Sequence, residues 1–169
     1  MLNIKLYPIG FVESNNGEYS KIVVSEEFAE GLEQIENFNY LVILFWLHKV
    51  SNENRTAIRI KPPFKDTPTL GIFATRFPAR PNPIGVSTVE LVEKRGNVLI
   101  VKDFDAEGGT PIIDIKPYIP IYDKPKGRVK LPHWVQGHLK QHERHEHPHT
   151  YEEIIRFVKI VKRIKGCFE

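Results

Sequence analysis

An alternation of apolar and polar side chains on both sides of a short turn characterises the stretch Val86-Ser-Thr-Val-Glu-Leu-Val-Glu-Lys-Arg95-Gly96-Asn97-Val98-Leu-Ile-Val-Lys-Asp-Phe104. A period of two is typical of a half-buried strand, and glycine beside asparagine favours a tight turn. The stretch therefore predicts an antiparallel hairpin with strands over 86–94 and 98–104.

Strand-like segments also dominate the rest of the chain, at 4–13, 40–50, 57–61, 69–75 and 110–118. The segment 40–50 is almost continuously apolar, which predicts a strand buried on both faces. Phe28, Leu32 and Ile35 recur at helical spacing after Ser25 and predict a short amphipathic helix. This order of elements predicts a mostly β fold, a small single-sheet β-barrel with an early short helix and a C-terminal helical extension.

Length and composition narrow the classes of protein. A chain of 169 residues suits one domain, and Cys167 is its only cysteine, which excludes an intramolecular disulfide and a multi-cysteine metal site. The longest apolar run, 41–47, is far shorter than a membrane span, and the start of the chain lacks the layout of a signal peptide. We expect a cytoplasmic protein without membrane contact.

The charge divides the chain at residue 123. Residues 124–169 hold 11 Lys and Arg against five Asp and Glu, whereas residues 1–123 hold 13 against 16. The division predicts a barrel domain over 1–123, followed by a basic, His-rich linker and a C-terminal helix, from about 151 to 165, packed on it. The basic segment either binds a polyanion or solvates a helical surface.

Histidines of this tail raise the question of a metal site. His138, His142 and His145 share one face of a helix, where neutral imidazoles can chelate a metal. Glu143 and Glu146 interleave with them as on a solvated helix, so we predict no metal site.

The loop Phe73-Ala-Thr-Arg76-Phe-Pro-Ala-Arg80-Pro-Asn82-Pro-Ile-Gly85 is the strongest indication of function. Its three prolines restrict their own φ angles and the residues before them, which predicts a stiff loop. A stiff loop holds the donor groups of Arg76, Arg80 and Asn82 ready for a ligand at low entropy cost.

Three acids, Asp103, Asp105 and Glu107, alternate along the second hairpin strand and beyond its predicted end. If the strand continues, they lie on one side, either as partners for a cationic ligand or for Arg76 and Arg80, or as an exposed polar face. Phosphate-loop, Rossmann, zinc-protease and nucleophile-elbow motifs are absent from the sequence, so those enzyme classes are unsupported.

Four stretches occur in order: Phe38-Asn-Tyr-Leu-Val-Ile-Leu-Phe-Trp-Leu-His48-Lys49, Gly71-Ile-Phe-Ala-Thr-Arg76, Arg80-Pro-Asn-Pro-Ile-Gly85-Val-Ser and Gly109-Thr-Pro-Ile-Ile-Asp114-Ile-Lys-Pro-Tyr118. Together they resemble the TrmO family, also called TsaA-like or YaeB/VirR. The resemblance implies a small β-barrel that methylates N6 of threonylcarbamoyladenosine beside the anticodon of tRNA, with S-adenosyl-L-methionine as methyl donor. It also implies a homodimer whose cofactor pocket draws on both subunits.

The same resemblance implies which residues form the site. Cofactor binding falls to His48, Lys49 and Arg76 and to the turn Gly108, Gly109, Thr110 and Pro111, and substrate contact to Arg80 and Asn82. The chain departs from the family pattern at Gly108, where family members have an aspartate. It departs again at 15–18, where they have a Pro-Arg-Gln segment. Asp105 and Glu107 are the candidates to replace the carboxylate.

The chemistry that this family implies needs aromatic rings and carboxylates around a sulfonium cation and an acceptor for the proton lost by N6. Phe45, Trp46 and Phe73 are candidate rings, and His48 and Arg76 are the candidate catalytic residues. Basic tail residues are candidates for phosphate contacts with tRNA: Lys159, Lys162 and Arg163. A non-catalytic module that binds the cofactor, a nucleotide or RNA, or a methyltransferase with another acceptor, remain the alternatives.

Overall fold

Eight strands form in the computed structural model, which describes residues 4–62 and 67–135. In chain order they are β1 (Gly10–Asn15), β2 (Tyr19–Val24), β3 (Tyr40–Trp46), β4 (Arg59–Ile60), β5 (Leu70–Gly71), β6 (Ile84–Arg95), β7 (Val98–Lys102) and β8 (Pro111–Pro117). The chain divides into two units. The described part of the first comprises 4–49 and 83–124, and that of the second 50–62, 67–82 and 125–135.

The first unit is a closed antiparallel barrel with the strand order β1-β2-β7-β6-β3-β8, and β8 pairs with β1 to close it. Its interior is filled by aliphatic side chains, among them Ile22, Leu41, Ile43, Leu99 and Ile112, all fully buried. Closure leaves no unpaired strand edge and gives every barrel strand one inward face. The predicted mostly β barrel is confirmed.

The hairpin predicted over 86–104 forms from β6 and β7, with Arg95 opposite Val98 across the turn Gly96–Asn97. Gly96 has a φ of 59°, a left-handed conformation that glycine adopts without steric cost. The Asn97 side chain donates through Nδ2 to the Val24 carbonyl at 2.7 Å, and the Asn97 backbone carbonyl accepts from the Val24 amide at 2.9 Å. The hairpin turn is thereby tied to the end of β2.

Burial along β3 corrects the prediction of a strand covered on both faces. Leu41, Ile43 and Phe45 point inward and are buried, whereas Tyr40 is exposed and the other outward residues are half-buried. The strand belongs to a barrel, and its inward face packs into the aliphatic interior. A run of apolar residues therefore alternates in burial here.

The N-terminal strand is shorter than predicted, and a strand that the sequence analysis did not predict follows it. β1 begins at Gly10 rather than Ile4, and β2 alternates half-buried residues with buried Ser20, Ile22 and Val24. The predicted helix after Ser25 is a 3₁₀ helix over Glu26–Leu32, and Ser25 makes no side-chain cap bond. A second 3₁₀ turn covers Ile35–Asn37, and an α-helical turn, α1 (Pro120–Asp123), follows β8.

The second unit contains the short ladder β4–β5 and two 3₁₀ turns, Asn54–Thr56 and Ile72–Ala74. Both strands are shorter than the predicted segments 57–61 and 69–75, and the second turns into the 3₁₀ helix after Gly71. Val50, Ile60, Ile72 and Ala79 are buried aliphatic residues in the part of this unit that the structure describes. The tail helix predicted at about 151–165 lies outside the described residues, so the division at residue 123 stays a prediction.

Candidate cofactor site

His48 and Lys49 lie where the chain leaves the barrel after β3. The Leu47 amide donates to the Pro83 carbonyl and the His48 amide to the Trp46 carbonyl, both at 2.8 Å. These bonds continue the contact between β3 and β6 for one residue and then turn the chain outward. Both His48 and Lys49 are exposed as a result.

Lys49 forms an ion pair with Glu107, whose carboxylate accepts from Nζ. β3 and β8 are antiparallel neighbours, so the end of β3 meets the segment that precedes β8. The two side chains are 44% and 36% exposed, so water and a ligand can reach both charges. The sequence analysis offered Glu107 as a partner for a cationic ligand or for Arg76 and Arg80, and within the barrel unit it pairs with Lys49.

The turn Glu107-Gly108-Gly109-Thr110 is closed by a hydrogen bond of 3.2 Å from the Thr110 amide to the Glu107 carbonyl. Gly109, in its third position, has a φ of 81°, which is typical of a type II turn and favours glycine. The Gly109 amide donates to the Val12 carbonyl at 2.7 Å, and the Val12 amide donates to the Thr110 carbonyl at 2.9 Å. β1 therefore fixes the turn.

Both glycines of this turn are exposed, whereas Thr110 is 3% exposed and Pro111 is half-buried. A Cβ on Gly109 would have no atom within 4 Å, and one on Gly108 would meet the Glu13 carbonyl oxygen at 3.6 Å. The backbone at the two glycines is therefore open to a ligand. The buried Thr110 holds the turn in place through its backbone amide and carbonyl.

Two side chains that the sequence analysis did not single out hold the segment leading to this turn. Asn15 donates through Nδ2 to the Phe104 carbonyl at 2.8 Å and the Ala106 carbonyl at 3.1 Å, and Ser20 donates to the Phe104 carbonyl at 3.0 Å. Only the asparagine-glycine turn at 15–17 signals such a role in the sequence, and the two partners of Asn15 are 89 and 91 residues away.

The acids after β7 do not continue the strand, which ends at Lys102. Asp103 has a φ of 58°, so the chain turns out of the extended conformation there. Asp103 and Asp105 are exposed and Glu107 half-buried, with Phe104 and Ala106 buried between them. The acids still face outward, although side-chain bonds rather than a strand ladder position them.

Arg76, Arg80 and Asn82 belong to the second unit, where Arg76 and Asn82 are exposed and Arg80 is half-buried. Several hydrogen bonds fix their loop. The Thr75 hydroxyl donates to the Ile72 carbonyl at 2.8 Å, and the Arg80 amide to the Pro78 carbonyl at 2.8 Å. Arg55 Nε donates to the Pro81 carbonyl at 3.2 Å.

Aromatic residues near these segments divide by burial. Phe45 is 6% exposed and meets Phe104 edge to face, with ring centroids 5.2 Å apart, and its ring fills the space beside Gly85. This packing makes Phe45 a core residue, which corrects its assignment as a cofactor ring. Trp46 is half-buried, and Phe73, in the second unit, is 80% exposed.

The part of the chain over 4–62 and 67–135 has no group of three His, Cys, Asp or Glu side chains that would hold a metal ion. Its helices are too short or too polar to span a bilayer. His138, His142 and His145 lie outside the described residues.

Several known proteins are similar to this chain. A probable S-adenosyl-L-methionine-binding protein of Pyrococcus abyssi is 43% identical over 102 residues, which cover 60% of this chain and 53% of that protein. A tRNA (adenine(37)-N6)-methyltransferase of rat is 39% identical over 92 residues, covering 54% and 21%. The chain thus spans about half, or less, of the length of these relatives.

The crystal structure of TrmO from Pseudomonas aeruginosa superposes with a TM-score of 0.59 at 24% identity, covering 93% of this chain and 80% of that one, which shows a shared fold. The model of the tRNA-methyltransferase O N-terminal domain matches residues 11–124. This match includes every strand from β2 to β8, all but the first residue of β1, and the glycine turn. The chain belongs to the tRNA-methyltransferase O N-terminal domain family.

Proposed function

We propose that this protein transfers a methyl group from S-adenosyl-L-methionine to N6 of an adenosine in tRNA, and that the acceptor is threonylcarbamoyladenosine beside the anticodon. The observation that carries the proposal is the half-exposed Lys49–Glu107 pair next to the open Gly108–Gly109 backbone. The match to the family over residues 11–124 and the names of its relatives support it.

The residues at the end of β3 fit the charges of this cofactor. The amino acid portion of S-adenosyl-L-methionine carries a carboxylate and an ammonium group, and its sulfonium is a third charge. Lys49 suits the carboxylate, and Glu107 suits one of the cationic groups, because each partner then exchanges one ion pair for another. Glu107 thereby replaces the aspartate that family members have at the position of Gly108.

The glycine turn contributes backbone rather than side chains. With no Cβ in the way, a ligand can approach Gly108 and Gly109 closely, and β1 holds both in place before binding. Thr110 and Pro111 act by anchoring the turn. Trp46, next to His48 on the outward side of β3, is the candidate aromatic face for the sulfonium.

When bound, S-adenosyl-L-methionine supplies an electrophilic methyl carbon. N6 of the acceptor would take this carbon from the sulfur of the cofactor, and N6 would lose one proton. His48 is exposed and is our candidate to accept that proton. Arg76 is the candidate to bind a polar edge of the cofactor, and Arg80 and Asn82 to bind the modified base, as the family resemblance implies.

We also propose that the protein works in the cytoplasm as a homodimer whose pocket draws on both subunits, again from the family resemblance. Light scattering on the purified chain at several concentrations tests the dimer. A monomer at concentrations where the protein is active would contradict it.

The experiment that tests the function incubates the full chain with labelled S-adenosyl-L-methionine and total tRNA, followed by mass analysis of the nucleosides. We expect one new methyl group on threonylcarbamoyladenosine. Methylation of a different nucleoside would show that the proposed acceptor is wrong and that the protein is nevertheless a methyltransferase. Cofactor binding by calorimetry without transfer would instead favour a non-catalytic binding module, the candidate that the two departures at 15–18 and Gly108 support.

A matched pair of variants tests the site. Lys49→Ala should weaken cofactor binding by about tenfold, the size of one lost charge-assisted hydrogen bond. Lys21→Ala is the control, because Lys21 also pairs with a glutamate, Glu13. Lys21 is 40% and Glu13 45% exposed, so this ion pair is about as exposed as that of Lys49. Equal losses in both variants would remove Lys49 from the proposed site.

A further inference from the structure

Charge is divided between the two units more sharply than along the chain. Residues 1–49 and 83–124 hold eight Lys and Arg against 14 Asp and Glu, whereas residues 50–82 and 125–169 hold 16 against seven. The barrel is therefore acidic, and the second unit is strongly basic. A polyanion is attracted to the second unit and repelled by the barrel.

The ladder of the second unit presents two of these cations on one side. Burial alternates over Arg59, Ile60 and Lys61, with Ile60 5% exposed and both cations exposed. Arg59 lies opposite Gly71, which has no side chain and leaves open space above it. Both cations are thus accessible from the same direction.

Phe73 projects from the turn that follows this ladder. It is 80% exposed, whereas Ile72 beside it is 1% exposed. The turn is held by bonds from the Thr75 amide and hydroxyl to the Ile72 carbonyl, at 3.2 and 2.8 Å, and the Ile72 amide donates to the Ile58 carbonyl at 3.0 Å. A phenyl ring is thereby kept in water on a fixed backbone, two residues from the glycine opposite Arg59.

We propose that this basic face, formed by Arg59, Lys61 and Phe73, holds the RNA substrate, with phosphates on the two cations and an unpaired base stacked on the phenyl ring. Cations track the backbone of single-stranded RNA, and an aromatic ring accepts any base by stacking. The inference rests on the proposed function for the choice of RNA. It assigns the contact to Arg59, Lys61 and Phe73 instead of the tail residues Lys159, Lys162 and Arg163.

The test measures binding of a fluorescent anticodon stem-loop RNA to the full chain by anisotropy across a salt series. Arg59→Ala/Lys61→Ala should weaken binding by about tenfold and reduce the salt slope by about 1 to 2. Phe73→Ala should weaken binding by about tenfold without changing the slope, and Phe73→Trp should restore it. Lys5→Ala/Lys116→Ala is the control, since it removes two exposed cations from the barrel unit.

Two further measurements separate the possible outcomes. Calorimetry with S-adenosyl-L-methionine should show unchanged affinity in all these variants, and a loss in Phe73→Ala would assign the ring to the cofactor and overturn the inference. Heparin binding should fall in the double variant but not in Phe73→Ala. If Phe73→Ala leaves RNA binding intact, the face attracts polyanions without stacking a base, which also overturns it.

The failure of this inference is distinguishable from that of the proposed function. The variants of the basic face could keep their RNA affinity while the tail variant Lys159→Ala/Lys162→Ala/Arg163→Ala or the barrel control loses it. In that case the RNA binds another surface, and the proposed function stands. If the wild-type chain binds the cofactor but no RNA, the tRNA substrate fails and the inference fails with it.

Discussion

The barrel and the second unit are held together by different interactions. Six antiparallel strands pair around a full circle in the barrel and enclose an aliphatic interior. In the described part of the second unit, two residues of β4 pair with two of β5, and turns, prolines and side-chain bonds such as that of Arg55 add to this short ladder. The barrel is thus an acidic, closed sheet that holds the glycine turn in place. The second unit presents basic side chains that a polar ligand can reach.

The largest difference should appear when a methyl group is added to one glycine of each unit. A Cβ on Gly10 would overlap the Val23 carbonyl oxygen and come within 2.9 Å of Val24 Cα, so Gly10→Ala must separate β1 from β2. We expect a loss of about 3 kcal/mol in the free energy of unfolding, measured by urea denaturation.

Gly71→Ala is the matched change in the second unit. Gly71 has a φ of −65° and a ψ of 145°, and a Cβ there meets no atom within 4 Å. The free energy of unfolding of this variant should equal that of the wild type or exceed it by about 0.5 kcal/mol, because alanine restricts the unfolded chain. Equal destabilisation by both variants would contradict the contrast between the units.

The next largest effect on stability should come from removing the side chain of Asn15, which joins β1 to the segment before the glycine turn. Asn15→Ala removes donors from the Phe104 and Ala106 carbonyls and should cost about 2 kcal/mol of unfolding free energy. Asn16→Ala is the control, because its side chain accepts only from the exposed amides of Glu18 and Tyr19. We expect a smaller loss there, and a loss as large would mean that the turn itself, rather than the bridge, is stabilising.

Arg55→Ala should affect the proline loop and leave the barrel unchanged. Arg55 donates to the Pro81 carbonyl and to the Asn52 side chain within the second unit. Its removal should raise the exchange rates of amides over 76–82 by roughly threefold, measured by hydrogen exchange, because local opening becomes easier. Faster exchange at Ile43 in the barrel would show that the two units are not independent in this respect.

The smallest effect concerns a surface charge on the barrel. A backbone hydrogen bond and the Lys94 ammonium hold the pKa of the Glu36 carboxyl below its ordinary value of 4.5. Its contribution to stability is present above that ordinary value and is lost as the pH falls through the lowered one. Lys94→Ala should raise the pKa of Glu36 only part of the way, since the backbone bond remains, and carboxyl NMR titration measures it. A complete return to 4.5 would assign the whole shift to Lys94.

Much of the barrel follows from local patterns. Alternation over 86–104 was enough to predict the hairpin, because neighbouring strands with a two-residue turn need no distant information. β2 escaped prediction although Tyr19–Val24 alternates in burial, since its inward face contains Ser20 beside Ile22 and Val24. Burial along 40–50 was predicted wrongly because hydrophobicity does not tell whether a second layer covers a sheet.

The sequence by itself determined the β-rich order of elements, the glycine turn at 108–109 and the three prolines around Arg80, because each depends on the backbone preferences of adjacent residues. Only the tertiary structure decided that Lys49 pairs with Glu107 and that Asn15 holds Phe104 and Ala106, since these partners lie 58 to 91 residues apart. Contacts over such separations arise from barrel closure, which no local pattern of side chains specifies.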